Sequence, residues 1–232
     1  MPDHALLKFD YLIGSVLVGA GGIIAGLVSG VLSAWLQRRT EQRKDRALRS
    51  VRLFRPLRDS SREFSQRLRE LSRRRGEKMQ QEMFAHIKDP HFGMADFVRW
   101  CNGEGNHWAE SVFMAAKYYR CATWTRDELR TVVTTSREET LLAAVEQARE
   151  ANGGQFRIYQ SAQDSVGHKM GAPGQTTVDE QQFWEAIGGR EPWLQNLADF
   201  FRNLHMKNDD ELDQMSASLD RVTRSAADAA AR

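Results

Sequence analysis

From Tyr11 to Leu36 the chain carries no charged residue. As a helix that run spans about 39 Å at ~1.5 Å per residue, against a hydrocarbon core of about 30 Å. It is long enough to cross a bilayer with some tilt. Tyr11 and Trp35 stand at its two ends, where aromatic rings favour the membrane interface. A secretory signal peptide is the alternative, with an apolar region of about 7–15 residues preceded by positive charge. Here the run is longer, Asp3 and Asp10 accompany Lys8 ahead of it, and the basic cluster comes afterwards. The reading is therefore an uncleaved anchor. No ionisable side chain lies inside the run, which argues against transport or proton relay by this helix alone.

The overall charge of +2 hides a strong asymmetry. Residues 1–37 have a net charge of −1, residues 38–78 carry 16 Lys/Arg against 6 Asp/Glu, net +10, and residues 79–232 have a net charge of −7. A basic segment beside an apolar one, followed by an acidic body, is a membrane pattern before it is a nucleic-acid pattern. Arg38, Arg39, Arg43, Lys44 and Arg46 follow the apolar run directly and are the candidate contacts to lipid head groups. By the positive-inside rule they place the C-terminal body in the cytoplasm, with the anchor in the inner (plasma) membrane. Gly22, Gly26 and Gly30, continued by Ala34, recur every four residues. Small residues at that spacing make a face on which two helix backbones approach closely, so self-association through the membrane is one reading. Ordinary glycine enrichment of membrane helices is the other.

Beyond the anchor the periodicity is helical, and the expected class is all-α: one N-terminal transmembrane helix and a cytoplasmic, bundle-like helical domain. The expected divisions are a tail over 1–10, the span over 11–36, a basic juxtamembrane helix over 37–75, the helical domain over 76–226 and a frayed, Ala-rich tail over 227–232. In the juxtamembrane helix Val51, Phe54, Leu57, Phe64, Leu68 and Leu71 share one face, and Pro56 predicts a kink or break near Arg55. Further helices are predicted from Met94 to Trp100, Trp108 to about Thr123, Glu138 to Ala151 and Phe156 to Met170. Phe156, Tyr159, Gln163, Val166 and Met170 form the stripe of the last of these. Thr177 with Glu180 reads as a capping box opening a short helix stopped at Gly188-Gly189. Pro192 suits the first turn of the next helix, and Asp209 or Asp210 caps a final one bearing Leu212, Met215, Leu219 and Val222. Residues 130–135, Arg-Thr-Val-Val-Thr-Thr, are the best strand candidate, and one short strand cannot make a sheet.

Chemistry is hard to find in this sequence. None of its histidines forms HExxH or pairs with cysteine at zinc spacing. Cys101, His107 and His91 are the nearest approach to a metal set and lack a fourth ligand. Glu138 and Glu139 open a helix, where the dipole favours acids. No GxSxG elbow accompanies Ser111, and no Walker or Rossmann fingerprint occurs. Cys101 and Cys121 read as reduced, packed thiols. The expectation is no cofactor and no metal. The aromatic residues Trp184, Trp193, Phe200 and Phe201 read as core.

The run Phe156-Arg157-Ile158-Tyr159 followed by Gln163, Gly167 and Met170 resembles a group of bacterial proteins with one N-terminal membrane helix and a helical body of uncharacterised activity. Arg55-Pro56-Leu57 with Arg67-Leu68, Glu110-Ser111 with Tyr118-Tyr119, and Trp193 with Leu197 resemble the same group in order along the chain. The chain departs from it at Cys121, where the group tends to have Trp, and at Ser161, Ala162 and Ser165, where it is charged. The resemblance implies architecture and no mechanism. Within it Gln163 and Gly167 are expected to be packing residues, Gln163 tying two helices and Gly167 permitting close approach. The leading functional expectation is a membrane-tethered, non-catalytic interaction or regulatory protein. Its partners are the lipid bilayer, a second copy through the anchor, and a cytoplasmic protein; nucleic acid is not expected, for lack of a reading element. An oligomeric, membrane-perturbing effector and an enzyme with a scattered site are the alternatives.

Overall fold

The computed structural model of the chain describes residues 33–73, 94–103, 105–132, 134–153, 158–172, 178–204 and 209–231. Among them every regular element is helical. The chain divides into two compact units, Met1–Leu48 and Arg49–Arg232. In the first, a helix over 33–49 (α1) begins in the last residues of the apolar run, and each of its residues 33–48 is exposed. Residues 11–32 of the expected span, with Gly22, Gly26 and Gly30, lie outside the described residues. Among the described residues no helix is long and apolar enough to cross a membrane.

The second unit opens with a π-helical turn, Ser50–Phe54, and continues as α2, Arg55–Arg73. The amide of Arg55 donates to the carbonyl of Ser50, five residues back. Pro56 accounts for this widened turn: in a regular helix its ring crowds the carbonyl four residues earlier, and it has no amide hydrogen to donate. The expected break near Arg55 is thus a π turn within continuous helix. Leu53, Phe54, Leu57, Phe64, Leu68 and Leu71 are buried, whereas Val51, expected on that face, is 57% exposed. The extra residue in the turn rotates Val51 outward and brings Leu53 in. This helix, expected as a juxtamembrane stem, packs inside the second unit.

The remaining elements are α3 (Met94–Cys101), α4 (Asn106–Thr131), α5 (Ser136–Asn152), α6 (Gln160–Lys169), α7 (Glu180–Gly188), α8 (Pro192–Arg202) and α9 (Asp209–Ala230). Helix α2 packs between α9 and α4, α9 also covers α5, and α4 is flanked by α6. Helix α4 is the centre. Its buried residues, from Trp108 through Tyr118, Tyr119 and Arg126 to Leu129, cover most of its circumference and leave a part-buried strip of Glu110, Phe113, Lys117, Arg120, Trp124 and Asp127. That explains why a one-faced pattern followed it only as far as Thr123: a helix buried over most of its circumference has too narrow a polar face to set a clear period. Phe64 meets Tyr118, Tyr119 and Phe201 at ring-centroid distances of 5.8, 6.2 and 6.3 Å, joining α2, α4 and α8 in one aromatic core. Each such ring contributes about 1.5–3 kcal/mol when fully buried.

The α2–α9 seam is built of small hydroxyls. Ser61 Oγ pairs with Thr223 Oγ1 at 2.8 Å, and Ser65 Oγ donates to Asp220 Oδ1 at 2.7 Å and lies 3.0 Å from Ser216 Oγ. Small side chains let the two helices approach closely, and the hydroxyls satisfy one another in place of water. The order of these pairs along both helices makes them antiparallel.

Several expectations are corrected. The strand candidate over 130–135 is divided between the end of α4 and the cap of α5. Thr135 accepts from the Glu138 amide while Glu138 accepts from the Thr135 amide, a reciprocal capping box. Its threonines are there for their hydroxyls, not for β propensity. Helix α7 is capped by Asp179 with Gln182, two residues after the expected Thr177, which lies outside the described residues. Helix α6 begins at Gln160, and Tyr159, expected on its buried stripe, is 58% exposed. There Ile158 is buried instead, its amide bonded to Asn152 O at 3.1 Å, and the Tyr159 amide donates to Asn196 Oδ1 at 2.9 Å. The tail expected to fray over 227–232 is helical to Ala230. Its terminal carbonyls are held: Arg137 donates to Asp228 O and Ala231 O, and Ser50 Oγ to Ala230 O.

Candidate functional site

Two places gather the residues the sequence singled out. The first is α1. Ala34, Arg38, Arg39, Arg43, Lys44 and Arg46 all lie on it and all are exposed. The Arg39 guanidinium stacks over the Trp35 ring, 4.1 Å from its centroid, one helical turn away. A guanidinium on an indole face is a favourable cation–π contact and holds both groups at one level of the helix.

The second is the junction of α4, α5 and α6. Gln163 is buried, and its Nε2 donates to Arg149 O of α5 at 3.1 Å and to Ile158 O at 2.9 Å, so it ties α6 to the end of α5 and to the loop between them. Gly167 faces α4. A Cβ there would stand 2.3 Å from Thr123 Oγ1 and 2.8 Å from Tyr119 O. Only a residue without a side chain lets the two backbones lie this close.

Around this packing contact runs a chain of alternating charge that sequence reading did not anticipate. Arg130 pairs with Glu146 at 2.5 Å, and Arg149, 4.0 Å from Glu146, pairs with Asp164 at 2.6 Å. Asp164 accepts from Arg126 at 2.6 Å, Arg126 pairs with Asp127 at 2.9 Å, and Asp127 meets His168 Nε2 at 3.0 Å. Burial by itself would lower the Arg126 pKa, but its bonds to Asp164 and Asp127 outweigh that and raise it above the ordinary guanidinium value. Burial likewise would raise Asp127, and the bonds from Arg126 and His168 bring it below the ordinary carboxylate value. Behind the chain lies a cavity of about 10 Å³, room for about one water molecule, lined by Tyr119, Thr123, Arg126, Arg149, Gln163 and Asp164 among others. Two of its lining groups, Tyr119 Oη and Arg149 Nε, are buried without a hydrogen-bond partner. The spacing Arg126…Asp164 and Arg149…Asp164 gives no local signal, because the groups come from three helices.

Elsewhere the polar groups are also spent on structure. Arg49 pairs with buried Glu138 at 3.1 Å, so Glu138 serves a cap and an ion pair together. Arg67 donates to His107 Nδ1 at 2.5 Å and to Glu110 Oε2 at 2.9 Å. Ser111 donates to the His107 carbonyl at 2.6 Å, a helix-internal bond. Cys101 and Cys121 are free and buried. Burial pushes the Cys101 thiol up to about 12, and burial also raises Cys121. Of the candidate metal set, His91 lies outside the described residues. Among the described residues no group of three His, Cys, Asp or Glu is placed to hold a metal ion. An open groove of about 310 Å³ lies between α5 and α9, lined by Arg137, Thr140, Ser225, Asp228 and Ala231. Its charged groups are Asp228 of α9 and Arg137 of α5, which donates to the carbonyls at the end of α9.

Compared with protein-family models, with curated proteins and with solved structures, the chain matches none.

Proposed function

We propose that this chain is a membrane-tethered, non-catalytic interaction protein: an anchor over 11–36, a basic helix at the anionic membrane surface, and a helical unit on the cytoplasmic side that binds a protein partner. The observation that carries the reading is the succession of a 26-residue uncharged run, a helix exposed along its length and rich in arginine, and a unit with its own core. Several ionised side chains in that unit are engaged in ion pairs between helices, which suits a scaffold. The resemblance to single-pass bacterial proteins agrees with this arrangement.

A second reading, an oligomeric effector acting on the bilayer, is favoured by the spacing of Gly22, Gly26, Gly30 and Ala34. One experiment addresses both. Membranes containing the full-length protein or its Gly26→Leu variant are washed in alkaline carbonate, then dissolved in mild detergent for measurement of oligomeric state. The tether requires that both stay with the membrane; release of the full-length protein into the wash overturns it. Loss of an oligomer in Gly26→Leu supports assembly through the anchor, and equal monomers rule out the effector.

A further inference from the structure

Helix α1 segregates its charges. At ~100° per residue, Trp35, Arg39, Arg43 and Arg46 fall within an arc of about 80°, while Glu41, Lys44 and Asp45 fall on the other side, with Arg38 outside the arc and beside Asp45. The separation works against the helix itself. Arg39 and Arg43, and Glu41 and Asp45, are like-charged neighbours four residues apart, an arrangement that destabilises a helix surrounded by water. On the other side opposite charges do meet at helical spacing, Arg38 with Glu41 and Glu41 with Lys44, so repulsion without such relief is confined to the arginine face.

Geometry gives the segregation a use. The interfacial layer of a bilayer is about 5–8 Å thick on each side of its hydrocarbon core. Along an upright helix that leaves the core as late as Leu36, Arg43 stands about 10 Å out and Arg46 about 15 Å out, and an earlier exit puts them farther. Held upright, the far end of the arginine face passes beyond the phosphates. Laid along the surface, the whole face meets them. About 20 residues suffice to cross the core, so counted from Tyr11 the residues 33–36 need not lie inside it. Trp35 and Leu36, both about half exposed, are suited to the interface, the indole already carrying Arg39 on its ring.

We propose that α1 lies along the membrane surface with Trp35, Arg39, Arg43 and Arg46 turned toward the phosphates of anionic phospholipids, and with Glu41, Asp45 and Lys44 turned away. This rests on the anchor proposed above and adds a specific binding face to it. Arginine suits the task, since its planar fork meets phosphate oxygens two at a time, which an ammonium cannot do. The face discriminates within the basic cluster: Lys44 is adjacent to Arg43 in sequence and takes no part.

The test uses full-length protein reconstituted in vesicles of phosphatidylcholine, with or without phosphatidylglycerol. A fluorophore is attached at Gln42→Cys, on the arginine face, or at Glu41→Cys, on the opposite face. The native Cys101 and Cys121 are buried and do not compete for label. Quenching by nitroxide carried on lipid head groups then reports which side meets the membrane. In phosphatidylglycerol vesicles the label at 42 is quenched severalfold more than the label at 41. The combined change Arg39→Gln, Arg43→Gln, Arg46→Gln abolishes the difference, and Lys44→Gln preserves it. Equal quenching at 41 and 42 in protein that resists carbonate extraction overturns the placement and leaves the anchor standing. Release of the protein by carbonate overturns the anchor and the placement with it.

Discussion

At the scale of the residue, the close approach of α4 and α6 depends on one missing atom. Gly167→Ala puts a methyl group against Thr123 and against the Tyr119 carbonyl, and backbone cannot swing aside as a side-chain tip can. The expected loss is about 1–3 kcal/mol of unfolding free energy, the usual cost of overpacking. Urea denaturation checks it, and an unchanged midpoint would mean that the helices sit farther apart. Gln163 and Gly167 could be singled out from the sequence as a resemblance, but their roles could not be derived there. The partners of Gln163 are an α5 carbonyl and a loop carbonyl, and those of Gly167 are on α4. The charge chain from Arg130 to His168 was invisible for the same reason: apart from Glu146–Arg149 and Arg126–Asp127, its links join residues whose sequence separation says nothing about distance.

At the scale of the element, helix ends decide more than helix interiors. The strand-like run over 130–135 illustrates why. Thr134 and Thr135 look like β-branched strand formers until the Glu three residues after Thr135 is weighed, and Thr135-x-x-Glu138 is a capping box with both bonds made. Thr135→Ala removes the cap and is expected to cost about 0.5–2 kcal/mol. Glu138 then loses one of its anchors while remaining paired with Arg49. A thermal melt followed by circular dichroism reads the effect, and a Thr135→Ser change, which keeps the hydroxyl, is expected to retain most of the stability. Pro56 shows the opposite case. Its position predicted a disturbance of the helix correctly, but not its kind, since a π turn leaves the helix continuous where a kink would redirect it.

At the scale of the whole molecule, the second unit, Arg49–Arg232, carries its own core. Among the described residues every buried core residue, from Leu53 to Ala226, lies within that unit. Removal of residues 1–48 is therefore expected to leave a cooperative thermal transition with a midpoint within a few degrees of the full-length protein's. Calorimetry of the two measures it. Loss of the transition would mean that the first 48 residues contribute to the fold of the second unit.

The sequence by itself determined the helical class, the uncharged run, the arginine cluster behind it and the apolar stripes of α2, α8 and α9, because each is a local or periodic property of consecutive residues. Phe54, Leu57, Phe64, Leu68 and Leu71 needed only the 3.6-residue repeat to be assigned to one face. Only the tertiary structure decided that α4 is buried over most of its circumference, that serines line the α2–α9 seam and that Asp164 holds two arginines from two other helices. Those facts depend on which helix faces which, and a helix records in its own period only that it has a neighbour, not which residues that neighbour brings.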